Sequence, residues 1–126
     1  MRSVFISYKY EDKIWKDKVK KWGSDKRFGG NVVIIGKSED VRQGGTNAVK
    51  GHISPKIRGA SDVLVLVGND THNSTGVEYE VQHAKSSGKN IILVRIPGTT
   101  GAAPRSLMYR DMTAFEPNAI MRALNN

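Results

Sequence analysis

Two glutamates, Glu78 and Glu80, stand in a segment whose apolar residues recur at helical spacing, with Ser74 and Thr75 just ahead of them. Their separation of two residues sets them about 200° apart on a helix, so they cannot serve one site together. Thr75-Gly76-Val77-Glu78 fits a capping box, with Thr75 as N-cap and Glu78 reaching back to it, which gives Glu78 a structural task. Glu80 has no such assignment. It lies next to the apolar stripe of Val77, Val81 and Ala84. A carboxylate so placed can stabilise a developing cation, hold a sugar hydroxyl, or act as acid or base. From composition and spacing alone, Glu80 reads as a solvated surface glutamate.

Other chemistry has less support. His52, His72 and His83 are far apart and show no helical ligand spacing, so no metal site is expected. Gly29-Gly30 and Gly44-Gly45 match neither a dinucleotide fingerprint nor a P-loop. The chain contains no cysteine, which excludes disulfides and thiolate catalysis. The net charge is +8, with Lys13, Lys16, Lys18, Lys20, Lys21, Lys26 and Arg27 carrying much of the excess. No aromatic platform interleaves with these charges, so a solvated helix face is expected rather than a nucleic-acid groove.

The 126 residues make one ordinary domain, 1–126, large enough for its own core. No apolar run approaches the roughly 18 residues of a membrane span. Met1-Arg2-Ser3 leads directly into a strand-like run, without the pattern of a signal peptide, and the cytoplasm is the expected location.

The elements that must position the carboxylates follow from periodicity. Strands are expected at 3–7, 31–35, 62–67 and 90–96, with a short fifth near Met112 to Phe115. The strands at 62–67 and 90–96 are apolar without alternation, as in a sheet covered on both faces. Helices are expected at 11–22, 46–58, 76–86 and 117–124. In the first, Trp15, Val19 and Trp22 form the stripe with Ile14 beside it, lysines lie opposite, and Gly23 is the stop. In the second, Pro55 predicts a kink or break. Lys37 to Gly45 reads as a loop. The predicted fold class is α/β, a flavodoxin-like three-layer sandwich around a mostly parallel five-stranded sheet. Its ligand crevice would lie beyond the carboxyl ends of the first and third strands. That brings Ser7 to Asp12, Gly68 to Ser74 and the helix of Glu80 to one rim, with the loop after the second strand able to cover it.

Several spaced motifs resemble the TIR-like family, most closely the bacterial and archaeal group that includes the TIR proteins of Thoeris antiphage systems. They are Phe5-Ile6-Ser7-Tyr8 with Glu11-Asp12 and Trp15, the stretch from Ala60 to Ser74, and Val77-Glu78-Tyr79-Glu80-Val81 with Ala84, Gly88-Lys89 and Ile91-Ile92. The resemblance covers roughly residues 3–96. In the family's frame a serine, a spacer and a tryptophan precede the catalytic glutamate. Ser74 here takes the serine position, Gly76 the tryptophan position and Glu80 the glutamate position.

The resemblance implies cleavage of NAD at the nicotinamide–ribose bond, with NAD as substrate and no cofactor. It further implies a cyclic or otherwise modified ADP-ribose signal in antiphage defence, read by a nucleotide-sensing effector downstream. Glu80 would be catalytic. Ser7, Tyr8, Lys9 and Ser74 are candidates for holding the dinucleotide, Tyr8 by stacking on a base and Lys9 by neutralising phosphate. Self-association is expected, since such enzymes commonly complete their site by assembly. The alternative is a non-catalytic TIR-like interaction module, which Gly76 favours. A phosphoacceptor receiver would need an aspartate ending the third strand, where Val67 and Gly68 stand.

Overall fold

The computed structural model describes residues 2–36 and 55–125. Among these residues four strands, β1 (Arg2–Ser7), β2 (Val32–Ile35), β3 (Asp62–Val67) and β4 (Asn90–Arg95), form one sheet in the order β2-β1-β3-β4. Every pairing is parallel. Helices α1 (Lys13–Ser24), α2 (Thr75–Ser86) and α3 (Pro117–Leu124) flank it.

Alternation along the strands divides the core into two layers. Phe5, Val63, Val65, Val67, Ile91 and Leu93 point to one face, where Val77, Val81 and Ala84 of α2 cover them. Val4, Ile6, Leu64, Leu66, Ile92 and Val94 point to the other, under Val19 of α1 and Ile120 and Leu124 of α3. All six residues of β3 are buried, which explains its unbroken apolar sequence. Each fully buried Val or Leu contributes about 1.5–3 kcal/mol relative to an exposed one.

The expected fifth strand is reduced to one bridge. Thr113 pairs in parallel with Val94, donating its N–H to Leu93 O at 2.6 Å and accepting from Arg95 N at 3.0 Å. The chain then turns, with Glu116 N donating to Ala114 O at 2.9 Å. Phe115 leaves the sheet plane and packs edge-on against Trp15 at 5.2 Å and tilted against Trp22 at 4.9 Å. Aromatic packing onto α1 replaces a fifth ladder.

The expected stripe of Trp15, Val19 and Trp22 on α1 faces the core, but the residues beside it differ from expectation. Ile14 is 66% exposed, whereas Lys16 is buried with its ammonium over the Tyr8 ring at 5.6 Å and 2.8 Å from Asp17. The long aliphatic stem lets a lysine fill an inner position while its charge finds partners. Nor does Gly23 stop the helix, which runs on to Ser24. A Cβ at Gly23 would lie 2.6 Å from Ile34 Cγ1, so glycine allows α1 to press onto β2.

The expected Lys37 to Gly45 loop and most of the 46–58 helix lie outside the described residues. Residues 55–58 are helical, and Ile57 is buried beneath the sheet face that α2 covers. No helix among the described residues is long and apolar enough to cross a membrane.

Candidate active site

The sheet order reverses between β1 and β3, so the crevice beyond their carboxyl ends is the place where an open α/β sheet takes a ligand. Ser7 ends β1 on the same face as Phe5, which α2 covers. In α2 the buried residues are Val77, Glu80, Val81 and Ala84, a stripe at helical spacing. These two constraints aim a serine hydroxyl and a glutamate carboxylate at each other. Ser7 Oγ donates to Glu80 Oε1 at 2.6 Å, and both residues are 0% exposed. The solvated glutamate expected from spacing alone is therefore a buried one.

Helix α2 starts at Thr75, and its cap is Ser74 rather than Thr75. Ser74 Oγ accepts from Val77 N at 3.2 Å. With the cap one residue early, Glu78 falls outside the box and its Oε1 accepts from Gln82 Nε2 at 3.2 Å instead. Its Oε2 is buried with no hydrogen-bond partner among the described residues. Ser74, a candidate for holding the dinucleotide, is thus committed to the helix end through its hydroxyl.

Tyr8 is one residue past Ser7 and so points to the opposite face. Its ring is 0% exposed and packs in the layer with Val4, Ile6 and Val19. The Tyr8 ring, expected to stack on a base, is here a core side chain and presents no face to the crevice. Lys9 is at the rim. Its Nζ donates to Asp70 Oδ2 at 2.8 Å and lies 3.7 Å from Glu11 Oε2. The Asp70 bond holds the Lys9 ammonium above its ordinary pKa. The same bond, followed by that from Asn73, holds Asp70 below the usual carboxylate range. A phosphate approaching Lys9 must compete with Asp70.

Further contacts lace the rim that periodicity did not reveal. The carboxyl of Asp12 sits against Gly68, where a Cβ would come 2.8 Å from Oδ2. Burial pushes the Asp12 carboxyl up, the charge of Glu11 adds to this, and Lys9 partly offsets it. Thr71 Oγ1 accepts from Gly68 N at 2.8 Å, closing the turn after β3. Asn69 Oδ1 accepts from Thr100 N at 2.8 Å, and Arg95 Nη2 donates to Gly101 O at 2.7 Å. The Ser7–Glu80 pair did have a signal in the sequence, because strand parity and the Val77, Val81, Ala84 stripe both turn these residues inward. The Lys9–Asp70 and Asp12–Gly68 contacts depend on loop paths and had none.

A cleft of about 250 Å³ opens beside the start of α2, lined by residues that include His72, Ser74, Thr75, Glu78 and Arg105. Glu80 does not line it. The hollow and the buried carboxylate are on different sides of one helix, as their spacing requires. Among the described residues, no group of three or more His, Asp or Glu side chains stands together as a metal site.

A carboxylate held in a dry site by a hydroxyl donor acts more strongly on a nearby positive charge than one in water. A family model described as the TIR-like domain of the Thoeris protein ThsB matches residues 5–101. The chain is similar in structure to the TIR domain of the Toll-related receptor TRR-2 from Hydra magnipapillata. Identity is 18%, coverage is 98% of each chain, and the TM-score is 0.71. It is also similar to the CMP N-glycosidase BcmB of Clostridium botulinum. There identity is 14%, coverage is 99% of this chain and 100% of that one, and the TM-score is 0.58. At these identities the structural likeness concerns the fold. No curated protein matches significantly.

Proposed function

Because the chain belongs to the TIR-like domain family of the Thoeris protein ThsB, we propose that it cleaves the nicotinamide–ribose bond of NAD, with Glu80 as the catalytic carboxylate. The observation that carries this reading is the Glu80 side chain, turned inward at the β1/β3 crevice and held by Ser7 Oγ at 2.6 Å. A further support is that a protein of the same fold, BcmB, is a CMP N-glycosidase, which breaks a base–sugar bond of the same class.

In this reading the C–N bond breaks heterolytically, and its electron pair goes to the pyridinium nitrogen. Nicotinamide leaves neutral, so its departure needs no acid. Positive charge develops on the ribose ring as an oxocarbenium ion, and a carboxylate nearby stabilises it. Water then adds at the anomeric carbon and loses a proton, giving ADP-ribose. Capture by a nucleophile of the ADP-ribose itself gives a cyclic product and the antiphage signal. Lys9 at the rim exchanges Asp70 for a phosphate of the dinucleotide. Self-association of the chain in the cytoplasm, and an effector that senses the product, belong to the same proposal.

A second reading, a non-catalytic interaction module, is favoured by the complete burial of Glu80. In that case the Ser7–Glu80 bond only joins α2 to β1. Incubating concentrated protein with NAD, beside Glu80→Gln, and separating the products by chromatography distinguishes the two. Nicotinamide release by the wild type alone supports the enzyme. Release by neither protein supports the module.

A further inference from the structure

We propose that Ser7 is the positioning residue of the Glu80 carboxylate rather than a contact for the dinucleotide. This inference rests on the reading of Glu80 as catalytic and extends it to a residue in another element. Ser7 Oγ and Glu80 Oε1 are 2.6 Å apart, within the range of a charge-assisted O–H···O bond, and the residues are 73 positions apart in sequence. The one hydroxyl proton of Ser7 is committed to the carboxylate, so it is not available to donate to a ligand.

The two ends of this bond differ in rigidity. Ser7 closes β1, a strand lying between β2 and β3, and is itself in register with Val65 of β3. The glutamate has three side-chain torsions, and a fixed donor at Oε1 selects among their combinations. The strand therefore sets the carboxylate plane before substrate arrives. A carboxylate already aimed at the developing cation need not reorganise during bond cleavage. Such an interaction contributes in the transition state and leaves ground-state binding of NAD unchanged.

The test is steady-state NAD cleavage, read as nicotinamide release, for wild type, Ser7→Ala, Ser7→Cys and Glu80→Gln. Circular dichroism and melting temperature are recorded for each. Loss of a hydrogen bond to a charged group predicts a fall in kcat of about 10- to 100-fold for Ser7→Ala, with KM within about twofold of wild type. Ser7→Cys, close in size and a weaker donor, should lie between the two. Ser7→Ala with a raised KM and unchanged kcat would assign Ser7 to substrate and overturn the inference. Unchanged kcat and KM would overturn it as well, while turnover lost in Glu80→Gln would leave the catalytic reading intact. If the alanine variant does not fold, the cysteine variant decides: a kcat equal to wild type refutes the positioning role. No turnover by the wild type defeats the catalytic reading, and the positioning role with it.

Discussion

Ser7 at the end of β1 and Glu80 in the second turn of α2 form a buried hydrogen bond of 2.6 Å across the edge of the sheet–helix layer. It is the point at which strand parity, helix periodicity and crevice topology converge. A polar pair in such a layer costs desolvation that Val or Leu at the same positions would not. Lys9 with Asp70 and Asp12 against Gly68 are further contacts along the same rim.

Asp12 carries the clearest pH dependence. Burial and Glu11 raise its folded-state pKa above the ordinary aspartate value of about 4. The folded state therefore binds more protons than the unfolded chain in the window just above that value, and stability falls as pH rises through it. Asp12→Asn should melt higher than wild type at neutral pH, and the difference should close as pH drops below the aspartate range. Melting curves across pH check this, and a variant less stable at neutral pH would contradict it.

Arg2 holds the opposite end of the sheet. Its Nε and Nη2 donate to Asp62 at 2.6 and 3.1 Å, and Asn90 Nδ2 donates to Asp62 Oδ1 at 2.9 Å, so one buried carboxylate joins β1, β3 and β4. Arg2→Ala should cost about 1.5–3 kcal/mol in urea unfolding. Arg2→Lys should recover less than half of that, because an ammonium cannot reproduce the two-pronged contact.

Gly101 lies against the carbonyls of Gly68 and Asn69, where no side chain fits. Gly101→Ala must push the β3 and β4 loops apart and break the Asn69–Thr100 bond. A destabilisation of about 1–3 kcal/mol is expected, as for other overpacked sites. An unchanged urea midpoint would show that the loops yield freely.

Gly76 is the reverse case. Among the described residues a Cβ there would meet only Ser74 Oγ, at 3.9 Å, an ordinary contact, so the backbone position admits a Cβ. Gly76→Trp, which restores the residue of the family frame, should fold with little change in melting temperature and raise NAD turnover. Equal turnover by the two proteins would mean that the glycine is no handicap.

Much of the architecture was legible in sequence because burial leaves a pattern. The run Asp62 to Val67 announced a strand covered on both faces, and Pro117 marked the start of α3. The fifth strand was misjudged because Phe115 suits a strand by type, yet it serves α1 through Trp15 and Trp22. The N-cap was one residue off because Ser74 and Thr75 are both good caps, and backbone geometry chose the first. Tyr8 follows Ser7 at the rim, but its place one residue beyond Ser7 sends its ring to the other face. Ile14 and Lys16 exchanged their expected exposures because a lysine stem can be buried while its ammonium reaches Asp17 and the Tyr8 ring.

The central claim is that Glu80 supplies the charge on which NAD cleavage depends. The rate of nicotinamide release from NAD by wild type and by Glu80→Gln, at equal and high protein concentration, tests it most directly. The glutamine keeps the size and one hydrogen-bond acceptor for Ser7 but removes the negative charge. The account predicts turnover by the wild type and a loss of at least about 100-fold in the variant. Equal rates in the two proteins, or none in the wild type, would contradict it.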